Sequence, residues 1–375
     1  MSIRLFAPSF RIDECLAEIR ECLEAGWTGL GFKTVEFETA WKAYAGYEHA
    51  HFLSSNTAGL HLAFRILKDR LGWVPGDEVI TTPLTFVSTN HAILYEGLTP
   101  VFADVDEHLC LDPESVASRI TPRTRAVIFV GLGGNTGQYE KIVALCEANG
   151  LALVLDAAHM SGTRLSGKLV GTEADVAVYS FQAVKNLPTA DSGMICCADA
   201  GDDARARRLS WLGIDKDTFA RTTAHGSYEW LYDVADVGYK YNGNSVMAAI
   251  ALVQLRYLDA DNAYRRSLVA RYEAGLAPVS AVRIVPTAPG CESAQHLLQI
   301  RVAGRDELML ALQREGVFPG VHYRDNTEYA PYAYAAGTCP NAHAAAAEVL
   351  SLPLHLRLTE SDIDRVCELL ARYAR

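Results

Sequence analysis

Two short, unbroken apolar runs, LALVL at 151–155 and VAVY at 176–179, constrain the fold of this chain more than any other feature. Each has the length of a strand and neither alternates with polar residues, the pattern of strands buried on both faces of a parallel sheet. Each run also stops abruptly. Asp156 closes the first, and Ser180 opens a turn after the second, with Lys185 five residues further on. In open parallel sheets the carboxyl ends of the strands form the crevice where ligands bind. Taken singly, an Asp at a strand end is more often a cap or turn residue, and a Lys after a turn is more often solvated. Together, one carboxylate and one amine delivered to that crevice suit pyridoxal 5'-phosphate (PLP). That cofactor needs a lysine for its Schiff base and an acid for its ring nitrogen.

Composition narrows the classes of partner. At 375 residues the chain is long enough for two packed domains or one large one with an appendage. Its net charge of −11 lacks the basic footprint on which nucleic-acid binding rests, so no nucleic acid is expected as a partner. No apolar run approaches a membrane span, so no membrane partner is expected, and the opening residues MSIRLFAPSF carry no secretory pattern. The nine cysteines are scattered without a CxxC pair, and the expected compartment is the reducing cytoplasm. His49 and His51 flank a single alanine, a spacing seen in metal sites. Strand ends carry histidine for many reasons, and no metal is expected.

Along the chain, Ile12, Leu16, Ile19 and Leu23 recur at helical spacing and predict an amphipathic helix over 11–25. A glycine-rich turn, GWTGLGF, leads into a second helical pattern, VEFETAWKAYAG. The run SSNTAGLHLAFRILKDRL reads as a strand end entering a helix, with Ser55, Asn56 and Thr57 as capping side chains. Free amides at such a helix start form an anion site suited to a phosphate. Residues 79–82 and 100–103 read as strands with a helix between them, a βαβ unit. TRAVIFVGLGGNTGQ reads as a strand followed by a glycine turn; it misses the G-x-G-x-x-G spacing by one residue, and no Lys-Ser/Thr follows. A largely apolar helix is expected over 247–258, and QHLLQIRV alternates like a strand. Near the end, Thr359 and Asp362 form a capping box before a helix whose Ile363, Val366 and Leu370 face inward.

The motifs D-A-A-H at 156–159 and S-F-x-x-x-K-N at 180–186 resemble those of the nucleotide-sugar aminotransferases, the DegT/DnrJ/StrS group of fold-type-I PLP enzymes. Further motifs follow the family's order from about Gly26 to the final helix. They include G-W-T-x-G before an E-F-E helix, GDEVI with PLTF and GLTPVFADVD, GYKYN with AAIALVQLRYLD, and His322-Tyr323. Two segments depart from the pattern. At 130–138 the family usually carries P-V-H-x-x-G-Q, and at 324–326 the family's P-L-H is R-D-N.

The resemblance implies an α/β fold with a mostly parallel central sheet flanked by helices, and a smaller α+β carboxy-terminal domain. The expected division is a large PLP-binding domain over 1–245, including the N-terminal helical segment, and a small domain over 246–375. Lys185 would carry PLP and then act as general base and acid, while Asp156 would keep the ring nitrogen protonated. His159 matches a position contacting the ring's phenolic oxygen. Phe86, which on its own reads as core, would stack on the pyridine face. Ser180, Thr57 and Ala58 would hold the phosphate together with the partner subunit's Asn242, with Lys240 as a second candidate for that role. Trp27 would either shape the sugar pocket or pack in the core. His322 and Tyr323 would enter the substrate side, and Arg324 would either grip a carboxylate or phosphate with its planar fork or lie at the surface.

The implied reaction is transamination of a keto-sugar, nucleotide-linked and 6-deoxy by the family's habit, with glutamate as donor. Pyridoxamine 5'-phosphate (PMP) would be the intermediate form of the cofactor, and the product an amino sugar for glycan or natural-product biosynthesis. The resemblance also implies a homodimer with shared active sites. Two alternatives stay open. One is a PMP-dependent sugar dehydratase, whose relatives replace the lysine with histidine. The other is a non-catalytic PLP-binding regulator, which usually carries a separate DNA-binding module.

Overall fold

The two apolar runs form neighbouring parallel strands at the centre of the molecule. The computed structural model describes residues 2–215 and 231–374. Seven strands make the main sheet: β1 (His49–Leu53), β2 (Glu78–Thr81), β3 (Thr99–Phe102), β4 (Thr124–Val130), β5 (Ala152–Asp156), β6 (Val176–Ser180) and β7 (Gly193–Cys197). Their order is β1-β7-β6-β5-β4-β2-β3, and β7 alone runs antiparallel to its neighbours. Side chains of β5 and β6 alternate between two cores. Leu153, Leu155, Ala177 and Tyr179 pack beside Trp41 and Phe129, whereas Val154, Val176 and Val178 pack beside Leu60 and Phe64 on the other face. Both faces are covered, which is why these runs show no polar alternation. Each fully buried aliphatic side chain there contributes roughly 1.5–3 kcal/mol.

Helices α1 (Ile12–Glu24), α2 (Phe32–Ala45), α3 (Asn56–Leu71) and α4 (Val87–Tyr95) precede or interleave with these strands. Helix α1 forms where the spacing predicts it, but its apolar stripe is turned outward. Cys15 and Cys22 are buried, whereas Ile12, Leu16 and Leu23 are exposed. The inward face is held by Glu18, whose carboxylate pairs with Lys33 at 2.7 Å.

Helix α3 begins directly beyond β1. Ser55 caps it by accepting from the Ala58 N–H at 3.1 Å. The first residue of β7 passes against this turn so closely that a Cβ on Gly193 would lie 2.6 Å from the Ser55 carbonyl carbon. Only glycine permits that approach, and it fixes the start of α3 against the sheet.

Helix α5 (Ser245–Leu276) has 32 residues, far more than the expected 247–258. Asn244 caps it by accepting from the Met247 N–H at 2.9 Å. Its first half, through Ala248, Ala251 and Leu258, belongs to a core of the main sheet. Its second half, through Leu268, Tyr272 and Leu276, belongs to a separate core. That second core is closed by an antiparallel sheet of Arg283–Ile284, Leu298–Arg301 and Val349–Leu352, and by helix α6 (Glu360–Tyr373). Thr359 and Asp362 make the capping box the sequence predicts, and Ile363, Val366 and Leu370 are buried.

Candidate active site

The ends of β4, β5 and β6, the starts of α3 and α4, and chain from the smaller sheet's side enclose a cavity of about 410 Å³. Asp156, His159, Ser180, Lys185, Thr57 and Phe86 all line it. Asp156 reaches it as the last residue of β5 and Ser180 as the last of β6, the placement expected for a parallel sheet. A larger hollow of about 920 Å³ between Asp106 and Pro286 contains none of these residues. Its polar groups partner one another: Gln138 donates to Asp106 at 3.4 Å, and the His108 ring pairs with the Pro286 carbonyl at 2.9 Å.

Three donors hold the Asp156 carboxylate. Thr89 Oγ1 donates to Oδ2 at 2.7 Å, while the Ala158 N–H and Asn56 Nδ2 donate to Oδ1 at 3.2 and 3.5 Å. Burial pushes this carboxyl above its ordinary value, and the hydrogen bonds from Thr89 and Ala158 and the charge on Lys185 pull it back. Across the cavity, Lys185 Nζ has neither a hydrogen-bond acceptor nor an ion-pair partner among the described residues. Burial lowers its amine from 10.5 to about 8, opposed by the charge of Asp156.

Histidines and aromatics make the remaining wall. The Gly133 N–H donates to His159 Nδ1 at 3.1 Å. A backbone amide can only donate, so Nδ1 is an acceptor and the proton of this neutral ring sits on Nε2. That Nε2–H faces the Tyr323 hydroxyl at 3.3 Å. Burial and then the Lys185 charge push His159 well below its ordinary value, which keeps it neutral. His322 also lines the cavity; its Nδ1 pairs with Ser351 Oγ at 2.9 Å, and burial followed by the Lys185 charge lowers it to about 4. Phe86, the residue before α4, is 57% exposed, with its ring 6.0 Å from that of Tyr323. Phe86 is therefore a wall of the cleft rather than part of a core.

The remaining expected site residues lie elsewhere. Ala58 is buried behind the cap, with its N–H committed to Ser55, and does not line the cavity. Trp27 donates from Nε1 to the Leu30 carbonyl at 2.6 Å and is not among the lining residues. Arg324 is drawn away by Glu328, four residues on, in an exposed ion pair, and its guanidinium lies 5.1 Å from the Tyr329 ring. Asn242 is outside this chain's cavity; its Nδ2 donates to the Gly243 carbonyl at 2.8 Å, and its Oδ1 is buried with no partner among the described residues. Lys240 stacks over Trp211, with Nζ 3.0 Å from the ring centroid. Sequence reasoning missed Thr89 and Asn56, which act on Asp156 from 67 and 100 positions away, and His296, which lines the cavity from the smaller sheet's side.

This donor set fits PLP. It offers an uncommitted amine, a carboxylate oriented by three donors, a flat aromatic wall, and the Thr57 and Ser180 hydroxyls beside a helix start.

The model of the DegT/DnrJ/EryC1/StrS aminotransferase family matches residues 11–371. The spore coat polysaccharide biosynthesis protein SpsC of Bacillus subtilis is 36% identical over 368 residues, covering 95% of this chain and 93% of that protein. The aminotransferase TlmJ of Streptoalloteichus hindustanus superimposes with a TM-score of 0.90 at 34% identity, covering 99% of this chain and 98% of that one. A putative sugar aminotransferase of Streptococcus pneumoniae in its PLP form superimposes with a TM-score of 0.90 at 27% identity over 99% of this chain and 98% of that one. The same protein is also known in a PMP form.

Proposed function

We propose that this chain, which belongs to the DegT/DnrJ/EryC1/StrS aminotransferase family, transfers the amino group of glutamate to a nucleotide-linked, 6-deoxy keto-sugar. It is an aminotransferase, and its cofactor is PLP, carried as PMP between the two half-reactions. The observation that supports this reading best is the shared cavity of about 410 Å³ lined by both Lys185 and Asp156, with the amine uncommitted among the described residues. When bound, the cofactor supplies a carbonyl that takes up the amino group and a ring that withdraws electrons from the reacting carbon.

The chain's own residues do the rest. With its amine lowered to about 8, Lys185 is neutral in roughly a tenth of molecules at pH 7, against about one in three thousand for an ordinary lysine. As a neutral amine, Lys185 would hold the cofactor and would take up or release a proton at Nζ. Asp156, fixed by Thr89 and Ala158, would hold the proton of the ring nitrogen. His159 Nε2–H and the Tyr323 hydroxyl, which face each other, would supply donors to the ring's phenolic oxygen. Thr57 and Ser180 would take the phosphate, Phe86 would cover the ring, and His322 with Tyr323 would meet the substrate.

The same reading extends to a cytoplasmic homodimer in which the partner subunit's Asn242 completes the phosphate site, and to a large domain over 1–245 followed by a small one over 246–375. The Asn242 Oδ1, buried without a partner among the described residues, and the exposed Leu231, Val234 and Val237 support a second subunit here. No described helix is long and apolar enough to cross a membrane.

The test is incubation of the purified protein with PLP, glutamate and a panel of keto-sugar nucleotides, read by mass spectrometry. Replacement of a ketone oxygen by an amine is expected. Deoxygenation without amination would favour a dehydratase, and a visible spectrum indifferent to glutamate would favour a regulator.

A further inference from the structure

The segment 324–326, where R-D-N stands in place of the family's P-L-H, sends its three side chains three ways. Arg324 pairs with the exposed Glu328. Asp325 folds back on its own loop, accepting from the Thr327 N–H at 2.8 Å, with its other oxygen 3.2 Å from His343 Nδ1. Asn326 is buried and ties this loop, which also carries His322 and Tyr323, to the turn between β2 and α4. Its N–H donates to the Pro83 carbonyl at 2.8 Å, and its Nδ2 donates to the Thr85 carbonyl at 2.8 Å. Its Oδ1 accepts from Asn90 Nδ2 at 3.1 Å.

The Asn326 amide cannot be turned over. Asn90 Nδ2 also donates to the Thr82 carbonyl at 3.2 Å, so the group that Asn90 presents to Asn326 is a donor and requires an oxygen opposite. The NH2 of Asn326 is thereby left facing the Thr85 carbonyl, which can only accept.

From Thr85 a line of hydroxyls runs to the carboxylate. Thr89 gives its one hydroxyl proton to Asp156 Oδ2 at 2.7 Å. The Thr85 hydroxyl, 2.9 Å from that of Thr89, must therefore be the donor of that pair. Asn326, Thr85, Thr89 and Asp156 are all buried, where a hydrogen bond is strong and an unmade one is costly. We propose that Asn326 is a positioning residue for Asp156: by holding the Thr85 backbone it aims the Thr85 hydroxyl at Thr89, and so keeps the Thr89 proton on the carboxylate. This rests on the reading of Asp156 as the partner of the cofactor's ring nitrogen. The wall of the cavity formed by His322 and Tyr323 is thereby tied to that carboxylate, across 236 and 241 positions of sequence from Asn326 to Asn90 and Thr85.

The experiment is equilibrium binding to the full-length, cofactor-free protein of PLP and of its analogue in which a CH group replaces the ring nitrogen, followed by absorbance. The ratio of the two affinities reads the contact between Asp156 and the ring nitrogen, and losses that weaken both ligands alike leave it unmoved. The wild type should prefer PLP. Asn326→Ala should cut that preference about fivefold, the worth of one ordinary hydrogen bond. Thr85→Val should cut it by a similar factor, and Thr85→Ser, which keeps the hydroxyl, should restore it. A role for Asn326 in packing alone would lower both affinities together. If Asn326→Ala does not fold, the two Thr85 variants carry the test. An unchanged preference in folded Asn326→Ala or Thr85→Val overturns the proposal and leaves the reading of Asp156 standing. A wild type that binds the two ligands equally overturns that reading, and the proposal with it.

Discussion

Replacing Lys185 with methionine removes a buried amine while keeping its aliphatic length. Burial lowers that amine from 10.5 to about 8. At about 1.36 kcal/mol per pH unit, the cofactor-free fold carries a cost of about 3 kcal/mol for holding the ammonium. Because the folded value lies below the unfolded one, the unfolded chain binds more protons between the two, so stability rises with pH across that interval. The cost is full below about pH 8 and gone above about 10.5. Lys185→Met is therefore expected to stabilise the cofactor-free protein by about 3 kcal/mol near pH 7, with the advantage shrinking as pH approaches about 10. Urea unfolding of both proteins at the two pH values measures it, and the difference between variants cancels the other titrating groups. A methionine variant no more stable near pH 7, or an advantage that does not change with pH, refutes the view of Lys185 as a desolvated amine.

Asp156→Asn should retain the cofactor but lose most of the glutamate half-reaction. Thr89→Val, which removes the 2.7 Å hydrogen bond to Asp156 together with the 2.9 Å bond between the Thr85 and Thr89 hydroxyls, should slow it about ten- to a hundredfold in stopped-flow measurements; wild-type rates in both would remove the pyridinium role. Arg324→Ala should leave KM for glutamate and for the keto-sugar within about twofold, since its partner is the exposed Glu328. A large rise in KM would return Arg324 to the site. Asn242→Ala should speed cofactor loss in equilibrium dialysis if a second subunit completes the phosphate site, and unchanged retention would count against that sharing.

The centre of the fold was legible because burial on both faces leaves a simple sequence trace: apolar runs that end on Asp156 and Ser180. Local signals such as the Thr359–Asp362 capping box were legible for the same reason, since all their partners are close in sequence. Thr89 and His296 left no trace, and Asn56, legible only as a cap, gave no sign of its bond to Asp156, because each meets its partner only after the chain has folded across many intervening residues. The outward turn of Ile12, Leu16 and Leu23 was hidden in another way. Periodicity fixes a helix and its apolar face, but the inward side here is the one with Cys15, Cys22 and Glu18, whose partners Lys33 and Arg256 lie elsewhere in the chain. Arg324 was the reverse case. Glu328 stands four residues on, a spacing that already offered the arginine a nearby partner.

The central claim is that the Lys185 amine bonds to the cofactor inside this cavity. The most direct measurement is borohydride reduction of the PLP-loaded protein followed by peptide mass mapping. The added phosphopyridoxyl mass is predicted on the peptide containing Lys185, and it should be absent when excess glutamate is added before the reductant. A label on another lysine, or none on Lys185, would contradict the account.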